Sequence, residues 1–151
     1  MLIRKPVSEV FAAFVDPAIT ARFWFTSGSG PLETGKTVQW DWAMYGFSIP
    51  VTVLEIEPDR RIRLEWMTDG VPTTVEWTFT ARPDQTTFVS IENSGFQGDG
   101  DSVVAQAIGS TEGFAFVLAG CKALLEHGVA LNLVGDRFPD GLGGESAATD
   151  A

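Results

Sequence analysis

From Val38 to Glu92 the chain swaps apolar for polar residues at nearly every step. Val38, Trp40, Trp42 and Met44 alternate with Gln39, Asp41, Ala43 and Tyr45; after a turn at Gly46, Phe47, Ile49, Val51 and Val53 continue the series. A period of two puts all the apolar side chains on one face of a strand. Leu54 and Ile56 then carry the apolar signal on the opposite parity, which predicts a bulge near Val53. Pro58-Asp59 turns the chain, and Ile62, Leu64 and Trp66 alternate with Arg61, Arg63 and Glu65. Asp69-Gly70 is a tight-turn pair. Val75, Trp77 and Phe79 follow, then a turn at Pro83-Asp84, then Thr87, Val89 and Ile91. The pattern predicts five sequential strands in an antiparallel meander with one apolar face.

That face needs a cover, and Ser110 to Gly128 has the matching stripe. At about 100° per residue, Phe114, Val117, Leu118, Cys121, Leu124 and Leu125 fall in one arc, with Glu112, Ala115, Ala119, Lys122 and Glu126 opposite. Gly109, Gly113 and Gly120 line one edge of the arc beside Phe116. Glycine inside a helix costs about 1 kcal/mol relative to alanine, so three on one edge imply a close neighbour, either the sheet or a ligand. Upstream, Ser102 to Ile108 reads as a helical turn or two, broken near Gly109-Ser110, after a loop at Gly95 to Gly100. Near the start, Pro6 to Val15 is a short amphipathic helix. Asp16 ends it and caps a second, from Pro17 to about Trp24. Thr26 to Gly35 reads as a loop.

Composition bounds the function. The chain has 151 residues with 44% hydrophobic content, enough for one domain with a sizeable core, placed at residues 1–138. Residues 139–151 have the composition of a disordered end. The net charge of −10 disfavours binding to nucleic acid or to an anionic membrane surface. No run of about 18 apolar residues predicts a membrane span, and the N-terminus lacks the apolar stretch of a signal peptide, so the expectation is a cytoplasmic protein. With one Cys and one His, neither a disulfide nor a Cys- or His-rich metal site is expected, and no cofactor is implied.

Four strings carry a resemblance: KPVSEVFAAFVDPAITARFW at 5–24, VLEIEPDRRIRLEW at 53–66, TTFVSIENSGF at 86–96 and STEGFAFVLAGCKALLEHG at 110–128. In this order and spacing the chain resembles the START-like helix-grip (SRPBCC) superfamily, and within it the bacterial branch related to the activator of the heat-shock-protein ATPase. The resemblance implies an α+β fold: a curved antiparallel sheet gripping a long C-terminal helix, with two short helices after the first strand and a cavity between sheet and helix. It also implies binding of a hydrophobic molecule, cyclase- or hydrolase-type turnover, or contact with a chaperone. The chain departs from the pattern by keeping only Met1–Arg4 for a first strand, by Gly113-Phe114 where this branch often has Gly-Trp, and by a longer tail after Gly128.

The candidate ligand-binding set follows from the alternation and the helical arc. Trp40, Trp42, Trp66, Trp77 and Phe79 face inward from the strands; Gly113, Phe114, Val117 and Leu118 face them; Trp24 and Phe25 lie at the mouth. A solid core is the simpler reading. Buried indole N–H groups need partners, however, and four tryptophans on one sheet favour a cavity. Glu55 is the one weak catalytic candidate: it enters the cavity as a desolvated acid or base unless the bulge turns it out. Asp41, Glu65 and Glu76 belong to the opposite, solvated face, as does Tyr45. Cys121 reads as an inert core thiol, and His127 as a helix-terminal cation. The apolar segment LNLVGDRF at 131–138 suits packing or a homodimer contact.

Overall fold

The computed structural model describes residues 1–143. Each alternating stretch forms a strand. β1 (Leu2–Ile3), β2 (Ser27–Gly28), β3 (Thr37–Trp42), β4 (Phe47–Glu57), β5 (Arg61–Thr68), β6 (Val71–Ala81) and β7 (Thr87–Ser94) build one sheet. Its order is β1-β7-β6-β5-β4-β3-β2, with every neighbouring pair antiparallel. The five long strands are the predicted meander, and the hairpin between β5 and β6 turns on Asp69 and Gly70, with φ of 49° and 77°, the left-handed pair that a two-residue turn requires. β1 and β2 add one short strand at each edge. β2 falls where the sequence suggested only loop; it pairs Ser27 with Asp41 and Gly28 with Trp40.

The predicted bulge is present, with the β4–β5 register shifting between Val53 and Glu55. Val53 stays buried, Leu54 is exposed, and the side chains beyond change face. α1 (Val7–Val15) follows Pro6, and Asp16 closes it. The Asp16 carboxylate accepts from the Ala18 amide at 2.9 Å and so caps α2 (Pro17–Thr20). α2 ends at Thr20, short of the expected Trp24, although the turn continues through Trp24 N–H to Thr20 C=O at 3.0 Å.

α3 (Gly100–His127) is one unbroken helix, which corrects the expected break at Gly109-Ser110. One glycine in the interior of a long helix costs too little to stop it. Asp99 caps its start by accepting from the Ser102 amide at 2.8 Å, and Gly128 closes it in the left-handed conformation. By length and composition α3 could cross a membrane, something the sequence, read as lacking an 18-residue apolar run, did not suggest. In the fold its Phe114, Val117, Cys121 and Leu124 are buried against the sheet.

Gly120 belongs to the glycine edge, and its close neighbour is neither the sheet nor open space. A Cβ at Gly120 would lie 3.2 Å from the Phe23 carbonyl oxygen, so the α2–β2 connection makes the close approach there. Phe116, on the same edge, is faced by the Arg137 guanidinium at 5.9 Å. Arg137 follows α4 (Leu133–Asp136), one turn in the segment after α3. Tyr45, half-buried at the β3–β4 turn, donates its hydroxyl to the Val134 carbonyl. Arg137 donates to the Gly109 carbonyl at 3.3 Å and pairs with Glu112 at 3.3 Å. The segment after Gly128 is thereby strapped across α3. Of the end expected to be disordered, residues 144–151 lie outside the described residues.

Candidate functional site

The inward-facing aromatics meet around Trp24. Its ring centroid lies 4.9 Å from Trp40, 5.8 Å from Phe25 and Phe114, 5.9 Å from Trp77, 6.1 Å from Trp66 and 6.3 Å from Trp42. Phe114 stacks on Trp66 at 5.9 Å and meets Trp77 edge-on at 5.7 Å. Rings at these separations are in contact, so side chains fill the centre of the cluster. Phe79 stands apart from it, 5.3 Å from Phe11 and 5.9 Å from Phe14 beneath α1. Gly113 and Val117 are buried with the cluster, and Leu118 is half-buried.

The open space lies beside the tryptophans rather than among them. A half-open cleft of about 290 Å³ separates β7 from the middle of α3. Ile91 and Asn93 of β7 form one wall and Ser110, Phe114 and Leu118 of α3 the other, with Phe96 from the β7–α3 loop at the side. Ala107 and Ala115 keep the helix wall shallow. Phe114 belongs to both places: one part of it lines the cleft, and its ring contacts Trp24, Trp66 and Trp77 behind.

The loop wall is held by one side chain. Gln106 is the one buried residue among the first twelve of α3, Gly100 to Thr111. Its amide donates to the Gln97 carbonyl at 3.0 Å and to the Ser102 carbonyl at 3.2 Å, which staples the loop carrying Phe96 to the helix. Nearby Val104 and Ile108 stay 56% and 62% exposed.

Polar groups in the cleft are few. Asn93 donates through Nδ2 to the Ser110 hydroxyl at 2.9 Å. Its Oδ1 is buried with no partner. Thr111 is satisfied locally, donating to the Ala107 carbonyl at 2.7 Å. Behind the cleft, the indole N–H groups of Trp24, Trp42 and Trp77 are also buried without partners. Leaving such a group unpaired costs about 1–3 kcal/mol. Among the described residues no titratable side chain lines the cleft, and no His, Cys, Asp or Glu cluster could hold a metal ion.

Glu55 is corrected by the bulge. It lies on the outer face, with Oε2 at 2.6 Å from Arg61 Nη2 and 3.6 Å from Arg63 Nη1. Desolvation pushes its carboxyl up, but the hydrogen bond with Glu57 and the two guanidinium groups outweigh that and hold it below the usual carboxylate value. It is thus an ionised surface carboxylate rather than a desolvated acid. Arg63 also meets Glu76 at 3.2 Å, and Asp41 accepts from the hydroxyls of Ser27 and Ser48, so both acids occupy the expected outer face. Burial pushes the Cys121 thiol up to about 12, as suits an inert core residue.

A second cleft, of about 340 Å³, lies under α4. Trp24 and Phe25 form its floor, with Met44, Asn132 and Val134 around it. The two clefts flank the aromatic cluster, and the contact of Trp24 with Phe114 at 5.8 Å stands between them. The sequence singled out Phe114 and Leu118 of the first cleft. It missed Asn93, Phe96 and Ser110, although the inward parity running Thr87, Val89, Ile91 reaches Asn93 next.

A family model described as Activator of Hsp90 ATPase homolog 1-like protein matches residues 4–126. Among solved structures, protein SSP2350 from Staphylococcus saprophyticus is 30% identical, with a TM-score of 0.73 over 87% of this chain and 91% of its own. DynU16, from the dynemicin biosynthetic locus, is 25% identical with a TM-score of 0.73; the match spans 86% of this chain but 46% of that one. The Aha1 dimer from Colwellia psychrerythraea shares the fold at 16% identity, with a TM-score of 0.66, over 85% of this chain and 93% of its own. No curated protein matches.

Proposed function

The chain belongs to the activator of Hsp90 ATPase homolog 1-like family, and from that premise we propose that it binds a small hydrophobic molecule between the sheet and α3. The observation that carries this reading is the cleft of about 290 Å³ where β7 and α3 part, backed by Phe114 and the aromatic cluster. Its size is at the lower end for ligand sites, and its mix of apolar walls with a few polar groups is their usual character. Of the predicted binding set, Phe114 and Leu118 touch the ligand, while Trp24, Phe25, Trp40, Trp42, Trp66 and Trp77 form the mass behind it. Binding is favoured over cyclase- or hydrolase-type turnover because the cleft holds no acid or base and Glu55 lies on the far face of the sheet.

The test is titration with Nile red, a neutral apolar dye, alongside native mass spectrometry for a co-purified molecule. Saturable, blue-shifted emission from the native protein is expected, together with its loss in Ala115→Trp, which fills the cleft from an exposed position of α3. Emission that never saturates, or that survives Ala115→Trp unchanged, would sink this reading.

Contact with an Hsp90-type ATPase, or with a second copy of the chain, is a second reading. It draws on the family description and on exposed Val104 and Ile108 beside the cleft. Pull-down at low and high salt and sedimentation velocity test it; no complex at either salt and a monomer throughout would remove it.

A further inference from the structure

The ligand's polar chemistry can be read from what the cleft leaves unsatisfied, given the binding reading above. The inventory is short. Thr111 already donates to Ala107, so its proton is committed. Asn93 and Ser110 satisfy each other once, at 2.9 Å. After that bond Asn93 Oδ1 remains a buried acceptor with no partner, and the Ser110 hydroxyl, which accepts in that bond, still has its proton to give. The Ser110 hydroxyl can donate as readily as accept, so half a turn of the Asn93 amide exchanges the two offers without breaking the pair. Either way at least one donor and one acceptor stand side by side, from β7 and from α3, at a cleft otherwise walled by Ile91, Phe96, Phe114 and Leu118.

We infer that the cleft recognises a neutral, compact aromatic or alicyclic molecule carrying a hydrogen-bond donor beside an acceptor on one edge, with a carboxamide as the simplest such edge. Two observations set the charge. Among the described residues no Lys, Arg or His lines the cleft to compensate an anion, and no Asp or Glu lines it to compensate a cation, so a charged group would lose hydration without return. The volume limits the body to something near a bicyclic ring system. Asn93 is the residue that sets specificity and Ser110 its partner. A purely apolar ligand would leave Oδ1 unpaired as it already is, whereas an amide edge pairs with both groups.

The experiment compares three probes of one shape by titration calorimetry at pH 7: 2-naphthamide, 2-methylnaphthalene and 2-naphthoate. The native protein is expected to bind the amide at least about 10-fold more tightly than the methyl compound, with the carboxylate weakest. In Asn93→Leu, which removes an unsatisfied buried group and keeps the volume, the amide and methyl compounds are expected to bind within about 2-fold of each other. Ser110→Ala, an independent variant on the helix, is expected to shrink the same ratio. The readout is the ratio between probes, which a merely structural role for either residue would not shift. Equal affinity for all three in the native protein, or an amide preference that survives both variants, overturns the inference and leaves the binding reading standing. Failure of the native protein to bind any of the three overturns the binding reading itself, and the inference with it.

Discussion

The two halves of α3 are made of similar residues and do different things. From Gly113 to Leu124 the helix is sunk into the molecule: Gly113, Phe114, Val117, Gly120, Cys121 and Leu124 are buried, at spacings of one, three or four, against tryptophans from the strands and the α2–β2 connection. From Gly100 to Thr111 only Gln106 is buried, and Val104 and Ile108 face outward. The difference is not propensity, since the helix runs unbroken through both halves. It lies in what stands opposite. The packed half meets large rings that project from the sheet and fill the distance. The other half meets β7 where the inward series runs Val89, Ile91, Asn93, and no ring projects from that strand to close the gap. One helix therefore supplies both the cover of the core and a wall of the cleft, and the two roles overlap from Phe114, which serves both, to Leu118.

Substitutions can break or sharpen that contrast. The largest effect is expected from Leu124→Ala, which empties a buried position in the packed half and should cost about 2–5 kcal/mol in denaturant unfolding. Gly120→Val would push a branched side chain against the Phe23 backbone, where even a Cβ is 3.2 Å from the carbonyl oxygen; a loss of about 1–3 kcal/mol is expected. Asp99→Ala removes the cap of the standing-off half and should cost about 1 kcal/mol, with faster amide exchange confined to the first turns of α3. Ile108→Ser should change stability by less than about 0.5 kcal/mol, since the side chain is already in water. If Ile108→Ser costs as much as Leu124→Ala, the two halves are not different in the way described. Cys121 gives a chemical version of the same test. Its thiol, buried and pushed up to about 12, should not react with a disulfide reagent at pH 8 until the protein is unfolded.

Much of this was legible in the residues. The period-two stretches located the five long strands, and the parity change at Leu54 and Ile56 marked the bulge. What parity could not say was which side of the bulge Glu55 would take, because one extra residue reverses every later side chain. That single ambiguity decided between a buried base and a surface ion pair. The extent of α3 was hidden for a different reason: glycine and serine at 109–110 weaken helix propensity locally, while the decision is made cooperatively over the whole length. β2 was hidden because two residues carry no period. At the site, the aromatic residues were readable from alternation, but whether they line a space or fill it depends on ring-to-ring packing that no one-dimensional pattern contains. Asn93 was within reach, being the polar residue at the next inward position after Ile91. Phe96 and Ser110 were not, since a loop tethered by Gln106 and a helix face short of the core leave no periodic trace.

The strap after Gly128 adds a consequence of another kind. Tyr45 and Val134, which it joins, are 89 positions apart in the chain, and Arg137 reaches back to Gly109 and Glu112. Neither attachment involves a sheet hydrogen bond or a side chain from the centre of the aromatic cluster. The strap is therefore expected to open before the meander and the packed half of α3, which faster amide exchange at Asp136 and Arg137 than in the strands would show. Such an opening uncovers the floor formed by Trp24 and Phe25. Trp24 thus has the aromatic cluster on one side and the cleft beneath the strap on the other.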